Sequence, residues 1–173
     1  CPEEELGRYR NRPELKYVPP HTRRYWDNYL AEQDKMIKER DFKYPSQQSD
    51  LYLEMTGLLN QAGAKLILGT DANMIYVIPG FSIHDELENM VKAGLKPYQA
   101  IYSATYAAAE CLEELDNSGR IAEGTRADLL LLDKNPLEDV KYLRSPIGVM
   151  TKGVWLSDDT LQGMLEKIAE EYK

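Results

Sequence analysis

The side chain with the clearest chemical potential in this sequence is the carboxylate of Asp71. It lies in the stretch AKLILGTDANMI, where Lys65–Leu68 has the length and apolarity of a short buried strand and Gly69 interrupts the run. A carboxylate held at the end of a strand can exchange a proton with a bound molecule. An Asp after a Gly-Thr pair more commonly braces the turn, so these residues alone favour a structural role. The sequence therefore raises the question of why an apolar strand ends in a carboxylate.

The bulk composition limits the partners that this chain can have. Its 173 residues are 43% hydrophobic and 29% charged, which is typical of a globular chain with a real core. The formal net charge of -8 at pH 7 disfavours a nucleic-acid partner, because phosphate binding needs a concentrated basic face. No run is long and apolar enough to span a bilayer. We therefore expect neither nucleic acid nor a membrane as a partner.

The cysteines and the first residue bear on the cellular location. Cys1 and Cys111 are too few for a disulfide framework, which fits a reducing compartment and slightly favours the cytoplasm. A chain that begins with Cys rather than Met is expected to lack its start, so the missing signal peptide is uninformative. The compartment remains unknown at this level.

The predicted elements alternate as in an α/β protein. Thr22 is placed to cap a helix through about Arg40, and a second helix carries apolar residues over Leu51–Ala62 before a stop at Gly63. The strand at Lys65–Leu68 follows at once. This succession of helix, tight turn and strand predicts an α/β unit.

Helices and short strands are predicted after this unit. Ser82 and Asp85 have the spacing of a capping box for a helix to about Ala93, and Pro97 begins a helix that continues to Leu112. The remaining predicted elements are a strand in ADLLLLD, two antiparallel strands in PIGVMTKGVWL joined at TKG, and an amphipathic helix over Leu161–Tyr172.

Four blocks of sequence follow one another from about Gly63 onward: AGAKLILGTDA, HDELENMVKAGLKPYQAIYSATYAAAECL, GRIAEGTRADLLLLDKNPLED and VMTKG. In this order they resemble the carboxyl-terminal part of the amidohydrolase superfamily. The nearest subgroup is that of the imidazolonepropionase-like and prolidase-like metal-dependent hydrolases. The tetrapeptide GTDA alone is a weak motif, whereas the four blocks in the family's order are specific, and they cover a little over half of the chain.

The resemblance implies the carboxyl-terminal part of a (β/α)8 barrel together with returning strands of an accessory β-sandwich. Residues 1–115 would then be the end of the barrel, with Lys65–Leu68 as its last strand. Residues 116–156 would be sandwich strands, and residues 157–173 a C-terminal helix. Catalytic groups of such barrels lie at the carboxyl ends of the strands, which would explain the position of Asp71.

By the same resemblance, Asp71 is the metal ligand and proton shuttle of a hydrolase that cleaves a C–N bond in an amide, a cyclic amide or a dipeptide-like substrate. A divalent metal ion lowers the pKa of a bound water from ~15.7 to ~7, and a carboxylate can pass that proton to the leaving nitrogen. Zinc is the favoured metal, with manganese or iron as alternatives. Thr70 and His84 are candidate substrate-binding residues, although a turn role for Thr70 and a surface position for His84 are equally supported.

The sequence lacks the other ligands that this chemistry needs. Metal centres of the family use several histidines, whereas this chain contains only His21 and His84, and neither belongs to a His-x-His pair. A catalytic zinc has three protein ligands and an open position. We therefore expect the other ligands upstream of Cys1 and no turnover by the isolated chain. The alternative hypothesis is a non-catalytic fold remnant or interaction module that binds no metal.

The isolated end of a barrel is expected to self-associate. Its last strand would leave an unpaired edge, and its helices would leave apolar faces uncovered. We predict that the 173-residue chain forms homo-oligomers with a mass of at least two chains in light scattering. A monodisperse monomer would contradict this prediction.

Overall fold

The computed structural model describes residues 7, 9–39, 48–72 and 74–173 and shows a mixed α/β fold in this part of the chain. The elements whose bounds fall within the described residues are two 3₁₀ helices, Pro13–Tyr17 and Val140–Arg144, six α-helices and three strands. The helices are α1 Pro20–Glu39, α2 Gln48–Gln61, α3 Ser82–Lys92, α4 Pro97–Ala104, α5 Tyr106–Cys111 and α6 Asp158–Glu171. The strands are β1 Leu129–Leu131, β2 Gly148–Thr151 and β3 Val154–Ser157.

Helix α1 begins earlier than predicted. Thr22 is not its cap, because the helix starts at Pro20 and the Thr22 amide donates a 3.0 Å hydrogen bond to the Pro19 carbonyl within the first turn. Proline suits the first helical position because its φ is already helical. It lacks an N–H, but an N–H at that position would have no acceptor within the helix. The predicted end at Arg40 lies outside the described residues.

Helix α2 ends close to the predicted stop but begins at Gln48, three residues before the predicted run, and its apolar side chains are not in a core. It is followed by Gly63 in the left-handed conformation (φ +78°), as the sequence predicts. The helix packs on α3 through Gly57, which is buried. Its large apolar side chains are about half exposed: Leu51, Met55, Leu58 and Leu59. This uncovered face is one of the surfaces on which the predicted self-association depends.

The contact between α2 and α3 predicts opposite effects of two Gly-to-Ala substitutions. A Cβ on Gly57 would overlap the carbonyl oxygen of Ala93, whereas a Cβ on Gly163 in α6 would meet nothing within 4 Å. We expect Gly57→Ala to lower the free energy of unfolding by about 1–3 kcal/mol, because the backbone of α3 must move. Gly163→Ala should instead raise it by about 0.5–1 kcal/mol. Urea titrations of both variants check this, and equal effects would contradict it.

The segment predicted as the strand Lys65–Leu68 has the burial pattern of a strand but no strand partner among the described residues. Leu66 and Leu68 pack against the core, whereas Lys65 is exposed and Ile67 remains 44% exposed. The Leu68 amide donates to the Ser103 carbonyl at 3.2 Å. A β-strand needs an adjacent strand for its backbone hydrogen bonds. In the described part of the structure, this segment packs one face against helices and has no adjacent strand.

Helix α3 starts differently from the predicted capping box. The Ser82 hydroxyl accepts a 2.8 Å hydrogen bond from the Ile78 amide, and the Ser82 amide donates back to the Ile78 carbonyl at 3.0 Å. Ser82 therefore closes the preceding turn and caps no helix, since Phe81 is the residue before α3. The Asp85 carboxylate, which the box would direct back to the Ser82 amide, instead pairs with two arginines.

Helix α4 begins at Pro97 as predicted, but the predicted single helix to Leu112 is divided in two. The break is at Thr105 (φ -125°, ψ -85°), between α4 and α5. The Thr105 hydroxyl donates a 2.8 Å hydrogen bond to the Ile101 carbonyl. Such a bond to the preceding turn competes with the helical ladder and bends helices.

Two clusters of buried side chains form the core of the described part. One lies between α3, α4 and the second 3₁₀ helix: Leu87, Met90, Leu95, Ala100 and Val140. The other joins α1 and the segment before it to the loop after Asp71: Val18, Trp26, Tyr76 and Ile78. The second cluster is the one that positions the candidate site.

The three strands form an antiparallel sheet in the order β1-β2-β3. The predicted hairpin at TKG is confirmed, because Lys152 (φ +50°) and Gly153 (φ +80°) form the two-residue turn between β2 and β3. The Asp128 carboxylate accepts a 2.7 Å hydrogen bond from the Lys152 amide and fixes this turn. Ser157 caps α6 by accepting from the Thr160 amide, and the predicted C-terminal helix is present.

Candidate functional site

Asp71 lies at the end of the 64–70 segment, on an exposed turn that backbone hydrogen bonds close. Its φ of +50° is in the left-handed region, which Asp and Asn tolerate better than other non-glycine residues. The Asp71 carbonyl accepts from the Met74 amide at 3.2 Å, and the Met74 carbonyl accepts from the Val77 amide at 3.0 Å. The Asp71 carboxylate has no hydrogen-bond or ion-pair partner in the described part of the chain. It is therefore available to a ligand. Thr70, half-buried, precedes it.

The loop after Asp71 is anchored by Tyr76 on helix α1. The Tyr76 ring is buried against Trp26, with 5.2 Å between the ring centroids. Its hydroxyl donates a 2.7 Å hydrogen bond to the Asp27 carboxylate. Burial raises the pKa of Tyr76, and the hydrogen bond to Asp27 raises it further, so this phenol stays a donor at neutral pH. The amino-terminal part of the chain thus fixes the loop that carries the candidate site.

His84 is half-buried in the first turn of α3 rather than fully on the surface. Its Nδ1 atom is buried and has no hydrogen-bond partner within the residues that the structure describes. Burial lowers the pKa of His84, and the positive charge of Arg144 lowers it further, although Asp85 and Glu88 act in the opposite direction. The imidazole is therefore neutral at pH 7, and its buried Nδ1 atom is left unpaired by the described residues.

A network of four charged side chains lies beside His84. The Asp85 carboxylate forms ion pairs with Arg12 at 2.7 Å and with Arg144 at 2.6 Å, and Arg144 also forms an ion pair with Glu88 at 2.8 Å. Burial acts to raise the pKa of Asp85, but the hydrogen bonds from the two arginines outweigh it and hold that pKa below its ordinary value. Sequence analysis missed this network, because nothing local connects Arg12 with Arg144.

The lowered pKa of His84 predicts a pH dependence of stability. A histidine whose folded-state pKa lies below its unfolded value of about 6.5 destabilises the folded chain on protonation, so stability is present above that pH and is lost as the pH falls through the folded pKa. We expect the Tm of the chain to fall between about pH 7 and pH 5, and His84→Gln to reduce this fall. The exposed His21 provides the control, since His21→Gln should leave the pH dependence unchanged. Identical pH profiles for all three proteins would contradict the prediction.

The described residues do not by themselves make a metal centre. No three His, Cys, Asp or Glu side chains converge in a way that could hold a metal ion in residues 7, 9–39, 48–72 and 74–173. In particular, the structure does not bring Asp71 and His84 together in such a group. Asp71 can serve at most as one ligand, which agrees with the shortage of histidines in the sequence.

Comparisons with known proteins place these observations in a family context. The sequence profile described as the amidohydrolase family matches residues 52–156, well over half of the chain. Ochratoxinase of Aspergillus niger is 28% identical over 163 residues, which is 93% of this chain and 32% of that protein. Imidazolonepropionase of Streptomyces griseus is 40% identical over 104 residues, which is 57% of this chain and 25% of that protein.

Solved structures of a dipeptidase and an amidohydrolase also match this chain. A Xaa-Pro dipeptidase with bound methionine in its active site is 30% identical with a TM-score of 0.55, covering 61% of this chain and 25% of that one. Bottromycin amidohydrolase aligns over 95% of this chain and 36% of its own with a TM-score of 0.71, and at 22% identity it supports the fold alone. The chain thus spans about a quarter to a third of the length of these relatives. Among the described residues, no helix combines the length and hydrophobicity that a membrane crossing requires.

Proposed function

The chain belongs to the amidohydrolase family, and we propose that it forms the carboxyl-terminal part of a (β/α)8 barrel hydrolase with a composite β-sandwich. In this proposal residues 1–115 end the barrel, residues 116–156 supply sandwich strands and residues 157–173 form a terminal helix. Leu66 and Leu68 are partly buried, whereas Lys65 and Ile67, which alternate with them, are exposed. This alternation supports a β-strand whose hydrogen-bonded neighbour strands lie outside the described residues. The antiparallel sheet β1-β2-β3 supports the sandwich.

The proposed reaction is the metal-dependent hydrolysis of a C–N bond in a small amide, cyclic amide or dipeptide-like substrate. The single observation that carries it is the Asp71 carboxylate, exposed and unpaired among the described residues at the carboxyl end of the 64–70 segment. When bound, a divalent metal ion, zinc by preference and otherwise manganese or iron, would supply Lewis acidity. Asp71 would be one of its ligands, and its carboxylate would accept a proton from water and return it to the leaving nitrogen.

His84 and Thr70 are proposed to bind the substrate. The lowered pKa of His84 keeps its imidazole neutral, so it can donate or accept a hydrogen bond without adding charge. The Thr70 hydroxyl is next to Asp71 in the chain and can orient a polar group of the substrate.

The remaining metal ligands are proposed to lie on polypeptide outside this chain. Two observations support this: the relatives are three to four times as long as the matched part, and no three ligand side chains converge among the described residues. The isolated chain is accordingly proposed to be inactive. The rival proposal, an interaction module without metal, is supported by the same lack of ligands and by the uncovered apolar face of α2.

Metal analysis separates the two proposals. The chain would be produced alone and as part of the protein encoded together with its upstream coding sequence, and both would be analysed by inductively coupled plasma mass spectrometry. We expect near-stoichiometric zinc, manganese or iron in the longer protein and less than a tenth of that amount in the chain alone. An upstream sequence without a His-x-His pair and later histidines, or a longer protein without metal, would support the interaction module and end the enzyme proposal.

A further inference from the structure

A second feature of the structure, separate from Asp71, is an arginine-lined cavity beside the anchored loop. It has a volume of about 420 Å³, within the range of small-molecule sites. It lies between the first 3₁₀ helix, α1 and the loop that carries Tyr76. The lining side chains used below are Arg10, Arg23, Arg24, Asp27, Leu15 and Tyr76.

The cavity carries uncompensated positive charge. Asp27 is the one acid in its lining, and it is already bound by Arg10 at 3.2 Å and by the Tyr76 hydroxyl at 2.7 Å. Arg23 and Arg24 have no ion-pair partner in the described part of the chain. The Nε atom of Arg23 is moreover buried without a hydrogen-bond acceptor among these residues. Buried donors are normally satisfied, so the Arg23 guanidinium keeps a donor that the described residues leave unpaired.

The lining indicates which chemical class of ligand would suit these arginines. A guanidinium group presents paired N–H donors that match the two oxygens of a carboxylate. The chain as a whole carries a net charge of -8, which disfavours a large polyanion. Leu15 and the Tyr76 ring lie beside the arginines and suit the apolar body of an organic acid, which inorganic phosphate lacks.

We propose that this cavity is a binding site for the carboxylate of a small organic acid, held by Arg23 and Arg24. Tyr76 is five residues after Asp71, and five residues span at most about 18 Å, so the Cα atom of this lining residue lies within that distance of the Asp71 Cα atom. Resting on the proposed function, the ligand would be the free carboxylate end of an amide or dipeptide-like substrate or product. The binding itself requires neither metal nor turnover.

Nuclear magnetic resonance of the 173-residue chain with ¹⁵N-labelled arginine tests the proposal. The probes are hippurate, which has a carboxylate and an amide, its neutral analogue hippuramide, and inorganic phosphate. We expect hippurate to bind saturably and to shift an Nε–H signal that the Arg23 substitution removes. Hippuramide and phosphate should bind at least tenfold more weakly.

Substitutions locate the site. Arg23→Gln and Arg24→Gln should each weaken hippurate binding at least fivefold, whereas Arg120→Gln, at an exposed arginine near Asp116, should leave it unchanged. If Arg23→Gln does not fold, Arg23→Lys serves instead. It preserves the positive charge but removes the paired N–H donors of the guanidinium group, and it should still weaken hippurate binding. Equal binding of hippuramide, phosphate binding as tight as that of hippurate, or full binding by the variants would overturn the proposal.

The outcome is independent of the hydrolase proposal. Asp71→Asn should bind hippurate as tightly as the unmodified chain, because Asp71 does not line the cavity. A longer protein without metal would end the hydrolase proposal while leaving this binding result intact. Loss of hippurate binding would end the cavity proposal while leaving the metal analysis intact.

Discussion

If the proposed function is correct, replacing Asp71 with Asn is expected to lower the kcat of the proposed longer hydrolase by about 10²–10⁴-fold, the usual contribution of a positioned acid–base group. Asn keeps the size and the hydrogen-bonding oxygen of Asp but can neither accept the proton nor supply a full negative charge to a metal ion. It also tolerates the left-handed backbone of this residue (φ +50°). Since the carboxylate is exposed and has no partner among the described residues, stability should change by no more than about 0.5 kcal/mol.

The measurement combines steady-state kinetics, metal content and thermal unfolding of the same preparations. Asp133→Asn is the matched control, because it removes one exposed carboxylate elsewhere on the chain and should leave kcat unchanged. A loss of activity without a loss of stability would support the chemical role of Asp71. If Asp71→Asn retains more than half of the activity, Asp71 is neither ligand nor proton shuttle.

The second large effect is on stability, at Trp26. This side chain is 3% exposed and packs in the cluster that holds the loop after Asp71, with Val18, Tyr76 and Ile78. We expect Trp26→Ala to lower the free energy of unfolding by about 3–5 kcal/mol, because it removes a large apolar surface and leaves a cavity. This is a large share of the roughly 5–15 kcal/mol that stabilises a domain.

Urea denaturation of the Trp26→Ala chain checks this, with the neighbouring Tyr25 as control. Tyr25 is an aromatic residue in the same helix but is 61% exposed, so Tyr25→Ala should cost about 0.5 kcal/mol or less. A similar loss for both variants would show that the cluster around Trp26 does not stabilise the chain. Because Trp26 supports Tyr76, we also expect Trp26→Ala to weaken hippurate binding in the adjacent cavity.

The candidate site was only partly predictable. The positions of Asp71, Thr70 and His84 follow from the sequence, because a strand-like run, a Gly-Thr pair and a helix start are local signals. The burial of His84 and its proximity to Arg144 have no local signal. The arginine-lined cavity has no local signal either, because its lining combines residues 10–27 with Tyr76 from the loop after Asp71.

The sequence by itself determined the features that depend on a few neighbouring residues. Gly63 ends α2, Pro97 begins α4, and the Lys152–Gly153 turn joins β2 to β3, since backbone preferences of glycine and proline act within a single turn. The order of the four family blocks also determined the amidohydrolase assignment without any structure, as the matched residues 52–156 confirm.

The tertiary structure alone decided which side chains meet across long stretches of chain. Asp85 was predicted to cap its own helix but pairs with Arg12 and Arg144, because a half-buried carboxylate is stabilised more by two guanidinium groups than by one backbone N–H. The 65–68 segment has the sequence of a strand, yet a strand also needs backbone hydrogen bonds to an adjacent strand, and the described residues supply none. Local preferences are properties of the residues themselves, whereas pairing and burial are properties of what surrounds them.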